Sequence, residues 1–183
     1  MKTLDCPKEK YMDRIRSLKG IEFDYFSESI PQGLDYIIGS LHYVKVGDRH
    51  LSVDLSADSF RNNIEACFDA DPYAFCELYY ETLCDLYEKT HCDIVGHFDL
   101  VSKYNEGNAF FDESNDRYRH AWRKAMLKLI PQAKYFEINH GAVNKGLRSA
   151  PYPSKEMLDY LYAHGGKTID TSDSHSIATI GMF

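Results

Sequence analysis

The sequence predicts a parallel α/β fold, either an open sheet or a barrel, because strand-like and helix-like segments alternate along its 183 residues. Two observations carry that expectation. The hydrophobic period switches repeatedly between the short, β-branched and aromatic runs of buried strands and the three-to-four-residue spacing of amphipathic helices. Nearly every strand-like run also ends in a residue able to bind a metal, as expected where the carboxyl ends of parallel strands gather on one face. No repeat, low-complexity tract or linker divides the chain, so a single domain over residues 1–183 is expected.

Taken in order, residues Gly20–Phe26 (GIEFDYF) and Leu34–Val44 (LDYIIGSLHYV) read as strands punctuated by glycine. From Asp71 to Lys89 the pattern becomes helical. Asp71 is a good N-cap, and Pro72 fits the first helical position, where its missing N–H is not needed. Phe75, Leu78, Tyr79, Leu83, Leu86 and Tyr87 then make one apolar face. Cys92–His97 reads as a buried strand, Ser114–Leu129 as a second helix and Tyr135–Asn139 as a strand. Ser154–Ala163 reads as a helix that Gly165 and Gly166 terminate, and Lys167–Thr171 as the last strand. The polar run Ser102–Asn115 is expected to be the most mobile segment.

Composition narrows the function classes. The chain is 44% hydrophobic and 27% charged, ordinary for a globular protein. A net charge of -7 argues against a nucleic-acid backbone as partner, which needs a clustered basic surface. No run approaches the roughly 18 apolar residues of a membrane span, and Asp5, Lys8, Glu9 and Lys10 leave no apolar signal-peptide core. The five cysteines are odd in number and form no CxxC pair, which fits reduced thiols and a cytoplasmic location. Cys76 and Cys84 fall within a predicted helix and read as core residues.

The candidate metal ligands are Glu22 in the first strand, His42 after Gly39-Ser40, His97 and Asp99 after Gly96, and Asp173 and His175 after the last strand. Imidazole and carboxylate together suit Zn, Mn or Fe. Such a cluster lowers the pKa of bound water toward neutrality and clamps the oxygens of a transferring phosphoryl group. Asp173 and His175 are two apart, which in an extended chain points both side chains the same way. His50, His91, His120 and His164 read as surface or core histidines.

In order, the runs GIEFDYF, DYIIGSLHYV, DIVGHFDLVSKY, FEINHGAVNKGLRSAPYPS and GGKTIDTSDSHS resemble the polymerase and histidinol phosphatase (PHP) superfamily, and most of all its histidinol-phosphate phosphatases. The resemblance runs from Gly20 to Phe183. It implies a distorted (β/α)7 TIM-like barrel with up to three divalent metals (Zn, Mn or Fe) at its C-terminal mouth. Glu22 then corresponds to a bridging carboxylate, His42 and His97 to ligands from middle strands, and Asp173 and His175 to the closing D-x-H pair. Asn139 and Arg148 fall in the segment that resembles a substrate-binding loop. Arg148 is the candidate for a substrate phosphate, since guanidinium binds phosphate oxygens bidentately; Lys103 and Lys145 are further candidates. His140 stands where a small polar residue is expected.

The family's first-strand H-x-H motif has no counterpart in the 21 residues before Glu22, which contain no histidine. The expectation is therefore a barrel lacking its first strand and helix units and its last helix. Its exposed sheet edge invites pairing with another copy. The function implied is a metal-dependent phosphomonoesterase acting on a small phosphorylated substrate, L-histidinol phosphate first. The alternative is a degenerate PHP domain that binds a metal or a phosphorylated ligand without catalysis.

Overall fold

The computed structural model describes residues 13–183, so Cys6 and the residues weighed against a signal peptide lie outside it. Strands β1 (Gly20–Asp24), β2 (Tyr36–Ser40), β5 (Ile94–Val95), β6 (Tyr135–Asn139) and β7 (Thr168–Thr171) form one five-stranded parallel sheet in the order β1-β2-β5-β6-β7. A separate antiparallel hairpin pairs β3 (Tyr43–Val46) with β4 (Arg49–Ser52). The helices are α1 (Ala57–Cys67), α2 (Pro72–Leu83), α3 (Leu86–Thr90), α4 (Asp116–Leu129), α5 (Gly141–Asn144) and α6 (Lys155–Ala163).

The strand order rises monotonically with sequence and never reverses. Parallel crossovers are almost always right-handed, so a sheet wound in one sense carries its helices on one face. The burial follows. Ile37, Val95 and Phe136 pack into the core, where Trp122, Tyr79, Tyr80, Tyr118, Phe60, Phe75 and Phe98 are all fully buried. Their neighbours Ile38, Ile94, Tyr135 and Ile169 instead line a cavity of about 690 Å³ on the other face. Among the described residues β1 and β7 each pair with a single strand, so the sheet is open, and the cavity lined by all five strands marks its concave face.

Local chemistry explains the helix starts. Ser56 accepts the Ser59 N–H at 3.0 Å, Asp71 accepts from Tyr73 and Ala74 with Pro72 following, and Asn115 accepts from Arg117. The expected single helix over Asp71–Lys89 is two. The backbone tightens to i→i+3 bonds at Cys84 and Asp85, which separates α2 from α3. The expected strand Leu34–Val44 also divides. After Ser40 the chain leaves the sheet at Leu41–His42, then turns through Gly47, whose φ of 58° suits the tight connection of β3 to β4. This hairpin and helix α1 were not anticipated from the sequence.

The run Ser102–Asn115, expected to be mobile, is packed around one buried side chain. Asn105 accepts from the Phe110 and Phe111 N–H groups and donates to the Phe111 carbonyl and the Glu113 carboxylate. Phe111 inserts into the core beside Tyr118, their ring centroids 5.0 Å apart. No helix among the described residues is long and apolar enough to cross a membrane.

Candidate metal centre

The strand ends bring sequence-distant side chains together. A 130 Å³ cavity there is lined by Glu22, His42, His97, Asn139, Asp173 and His175, along with Asp54, Lys103, Lys145 and Tyr152. Glycine makes two of these approaches possible. A Cβ on Gly96 would strike the Ser40 hydroxyl at 2.6 Å, so β5 could not sit against β2 immediately before His97. A Cβ on Gly141 would collide with the Asp173 carboxylate, so the start of α5 could not lie under that side chain.

Three of the sequence-predicted ligands converge closely. Glu22 Oε1 lies 2.9 Å from His97 Nε2 and 3.4 Å from His42 Nε2, and the two imidazoles meet edge-on at 4.9 Å. Ligand atoms of Glu22, His42 and His97 all fall within 4.8 Å of one another. Hydrogen bonds from His42 and then His97 hold the Glu22 carboxyl far below the usual range, against the opposing effect of burial. For His42, burial pulls the pKa down, but hydrogen bonds to Asp24 and Glu22 outweigh it and raise the imidazole to about 10.

These residues fit a divalent ion on two counts. The set is two imidazoles and a carboxylate, the chemistry of Zn, Mn and Fe sites. His97 Nδ1 is also buried with no hydrogen-bond partner, so protein groups do not use up that ring's bonding capacity.

Asp173 and His175 reach the same cavity, but not by extended alternation. Asp173 takes a left-handed φ of 42°, and its carbonyl oxygen lies 2.9 Å from His175 Nδ1, so a turn directs both side chains. Asn139 accepts the Gly141 N–H at 2.8 Å and fixes the entry to α5. Arg148 is not among the cavity's lining residues. Its guanidinium donates to the Ser102 carbonyl and hydroxyl and packs 4.6 Å over the Tyr152 ring. Asp99 is wholly buried and accepts the Ser154 N–H. Burial raises its carboxyl to about 6, against the pull of Arg148. His140 lies 3.3 Å from Asp170.

Sequence reasoning missed three carboxylates. Asp24 holds His42, and Asp54 binds Lys103 through its carboxylate and carbonyl, each at 3.1 Å. Glu137 accepts the His97 backbone N–H at 2.8 Å and the Thr171 hydroxyl at 2.6 Å, tying β5 to β7. Two of them carried a signal. Asp24 and Glu137 each lie two residues along a strand from a singled-out residue (Glu22 and Asn139), hence on the same face.

Fold and site together define a parallel α/β domain with a candidate metal centre at its carboxyl-end face. No protein-family model and no curated protein sequence matches the chain. Among solved structures, the crystal structure of a Listeria monocytogenes protein provisionally assigned as a histidinol phosphatase aligns with a TM-score of 0.80. The identity is 20%, over 98% of this chain and 71% of that one. That likeness shows a shared fold.

Proposed function

We propose that this chain is a metal-dependent phosphomonoesterase of the PHP type, built on an arc of a (β/α)7-like barrel. The observation that carries the reading is the pairing of Glu22, His42 and His97 with two lysines in one small cavity. A divalent ion bound there supplies Lewis-acid activation of water and neutralises charge on a phosphoryl group. The chain's own residues do the rest. Lys103 and Lys145 offer ammonium groups to the phosphate oxygens. Lys103 is held by Asp54 with only 17% of its side chain exposed, so its position is set before substrate arrives. Arg148 contributes charge from behind Ser102 and holds the loop that carries Lys103. Asp173 and His175 close the cavity and are the candidates for further ligands.

L-histidinol phosphate is the first substrate to test, on the motif resemblance and on the fold shared with the Listeria protein. The 183-residue chain is incubated with that ester and added Mn²⁺ or Zn²⁺, with and without chelator. Metal-dependent phosphate release, lost in His97→Ala, is the expected result. Bound metal with no release above buffer would sink this reading for the chain and favour the alternative, a domain that holds a metal without catalysis. One observation supports that alternative: among the described residues, close convergence of donor atoms is limited to three side chains.

A further inference from the structure

We propose that Asp24 is the positioning residue of this site, holding the His42 imidazole so that its Nε2 faces Glu22 and a bound divalent ion; this rests on the metal-centre reading above. His42 needs such a partner and His97 does not. The His97 side chain is 8% exposed and fixed by its surroundings, whereas that of His42 is 28% exposed. His42 also lines a second, open cavity of about 590 Å³ with Asp24, Phe26, Tyr43, His50 and Asp54, into which its ring could swing.

Asp24 closes off that freedom. Its Oδ2 accepts the His42 backbone N–H at 3.0 Å and lies 3.0 Å from His42 Nδ1, so a single oxygen grips both the backbone and the ring. Its Oδ1 accepts the Phe26 N–H at 2.9 Å, which fixes the carboxylate from the other side. Register supplies the placement. Asp24 ends β1 directly opposite Ser40, the last residue of β2, and His42 follows two residues later. With the Nδ1 proton directed at Asp24, it is the Nε2 proton, facing Glu22 at 3.4 Å, that gives way to an ion. An outer carboxylate of this kind fixes ring orientation and makes the imidazole a better donor.

The test measures metal affinity and does not require the substrate to be known. Dissociation constants for Zn²⁺ and Mn²⁺ are obtained by chelator competition for the wild-type chain, Asp24→Ala and Asp24→Asn. Melting temperatures of the metal-free proteins are recorded alongside. Asp24→Ala is expected to bind about 10- to 100-fold more weakly. Asp24→Asn should fall between, because an amide oxygen in the Oδ2 position keeps both His42 hydrogen bonds while its NH2 gives up the Phe26 N–H. The absorption spectrum of bound Co²⁺ should shift in both variants as the ligand field changes.

Affinity of Asp24→Ala within threefold of wild type, with an unshifted Co²⁺ spectrum, would overturn the proposal while leaving the metal centre standing. A wild-type chain that binds neither ion removes the metal centre and this proposal together. Should Asp24→Ala fail to fold, Asp24→Asn decides: unchanged affinity and spectrum overturn the assignment, and a weakened site with wild-type metal-free stability upholds it.

Discussion

The two faces of the five-stranded sheet come from the same strands yet meet different surroundings. On the helical face Val95 and Phe136 are 0% and 1% exposed, under a layer of interlocked aromatic rings. On the concave face Ile94 is 5% exposed, but Tyr135 and the β7 residue Ile169 are each 38% exposed. Parallel sheets ordinarily bury both faces. The contrast shows where folding free energy is concentrated. The helical face holds the sheet together, and the site is assembled at the rim where the strands end, supported from that side by buried Asp99, Ser102 and Tyr152.

The largest effect should come from the helical face. Trp122 is 1% exposed and meets Tyr160 edge-on at 5.2 Å, joining α4 to α6. Trp122→Ala should cost about 3–5 kcal/mol by urea denaturation, through lost burial and an unfilled cavity. Tyr135→Ala on the concave face should cost under about 1 kcal/mol. Equal losses would erase the contrast between the faces.

A smaller effect tests the wall between core and site. Burial raises the Asp99 carboxyl from 3.8 to about 6 in the folded chain. A folded pKa above the unfolded one means a contribution to stability that is complete below pH 3.8 and declines as pH rises through about 6. From pH 5 to pH 7 the metal-free wild type should lose roughly 1 kcal/mol by this route. Asp99→Asn keeps an acceptor for the Ser154 N–H and has no proton to lose, so that part of the slope should vanish. An identical pH profile in the variant would show that Asp99 is not buried as a free carboxyl.

These expectations also mark what could be read from the sequence. Tyr135–Asn139 appears as a strand with the anticipated bounds, and Asp71 and Pro72 start a helix as their chemistry dictates, because both signals are local. Glu22, His42, His97, Asp173 and His175 line one cavity because each lies within or just beyond a parallel strand, and parallel strands carry such positions to one face. Asp173 and His175 depart from the extended alternation their spacing predicts, since a left-handed residue aims them. Asn105 shows the limit most clearly. A polar run reads as a loose loop until a single buried amide accepts two hydrogen bonds from, and donates two to, chain that folds back over it. Likewise, Arg148 carries the right charge for phosphate, but its contact with Ser102 depends on a loop path set by tertiary packing.

The smallest effect probes what lies over the concave face. Ile169 sits on β7 and lines the open cavity with Ile38, Ile94 and Tyr135. In dilute solution Ile169→Thr should change stability by less than about 0.5 kcal/mol, since the side chain is 38% exposed at the sheet edge and keeps its β-branch. We propose that a second copy of the chain pairs with the open sheet edge at β7, the strand that carries Ile169, which adds a dependence on concentration. Association stabilises the folded state by mass action, so the wild-type Tm should rise with protein concentration. Ile169→Asp should abolish that rise, because a carboxylate placed at an apolar contact must be desolvated without a partner. A wild-type Tm that stays constant over a hundredfold range of concentration would mean that no second copy pairs at that edge. The concave side would then be an apolar surface in contact with water, and the helical side alone would hold the sheet.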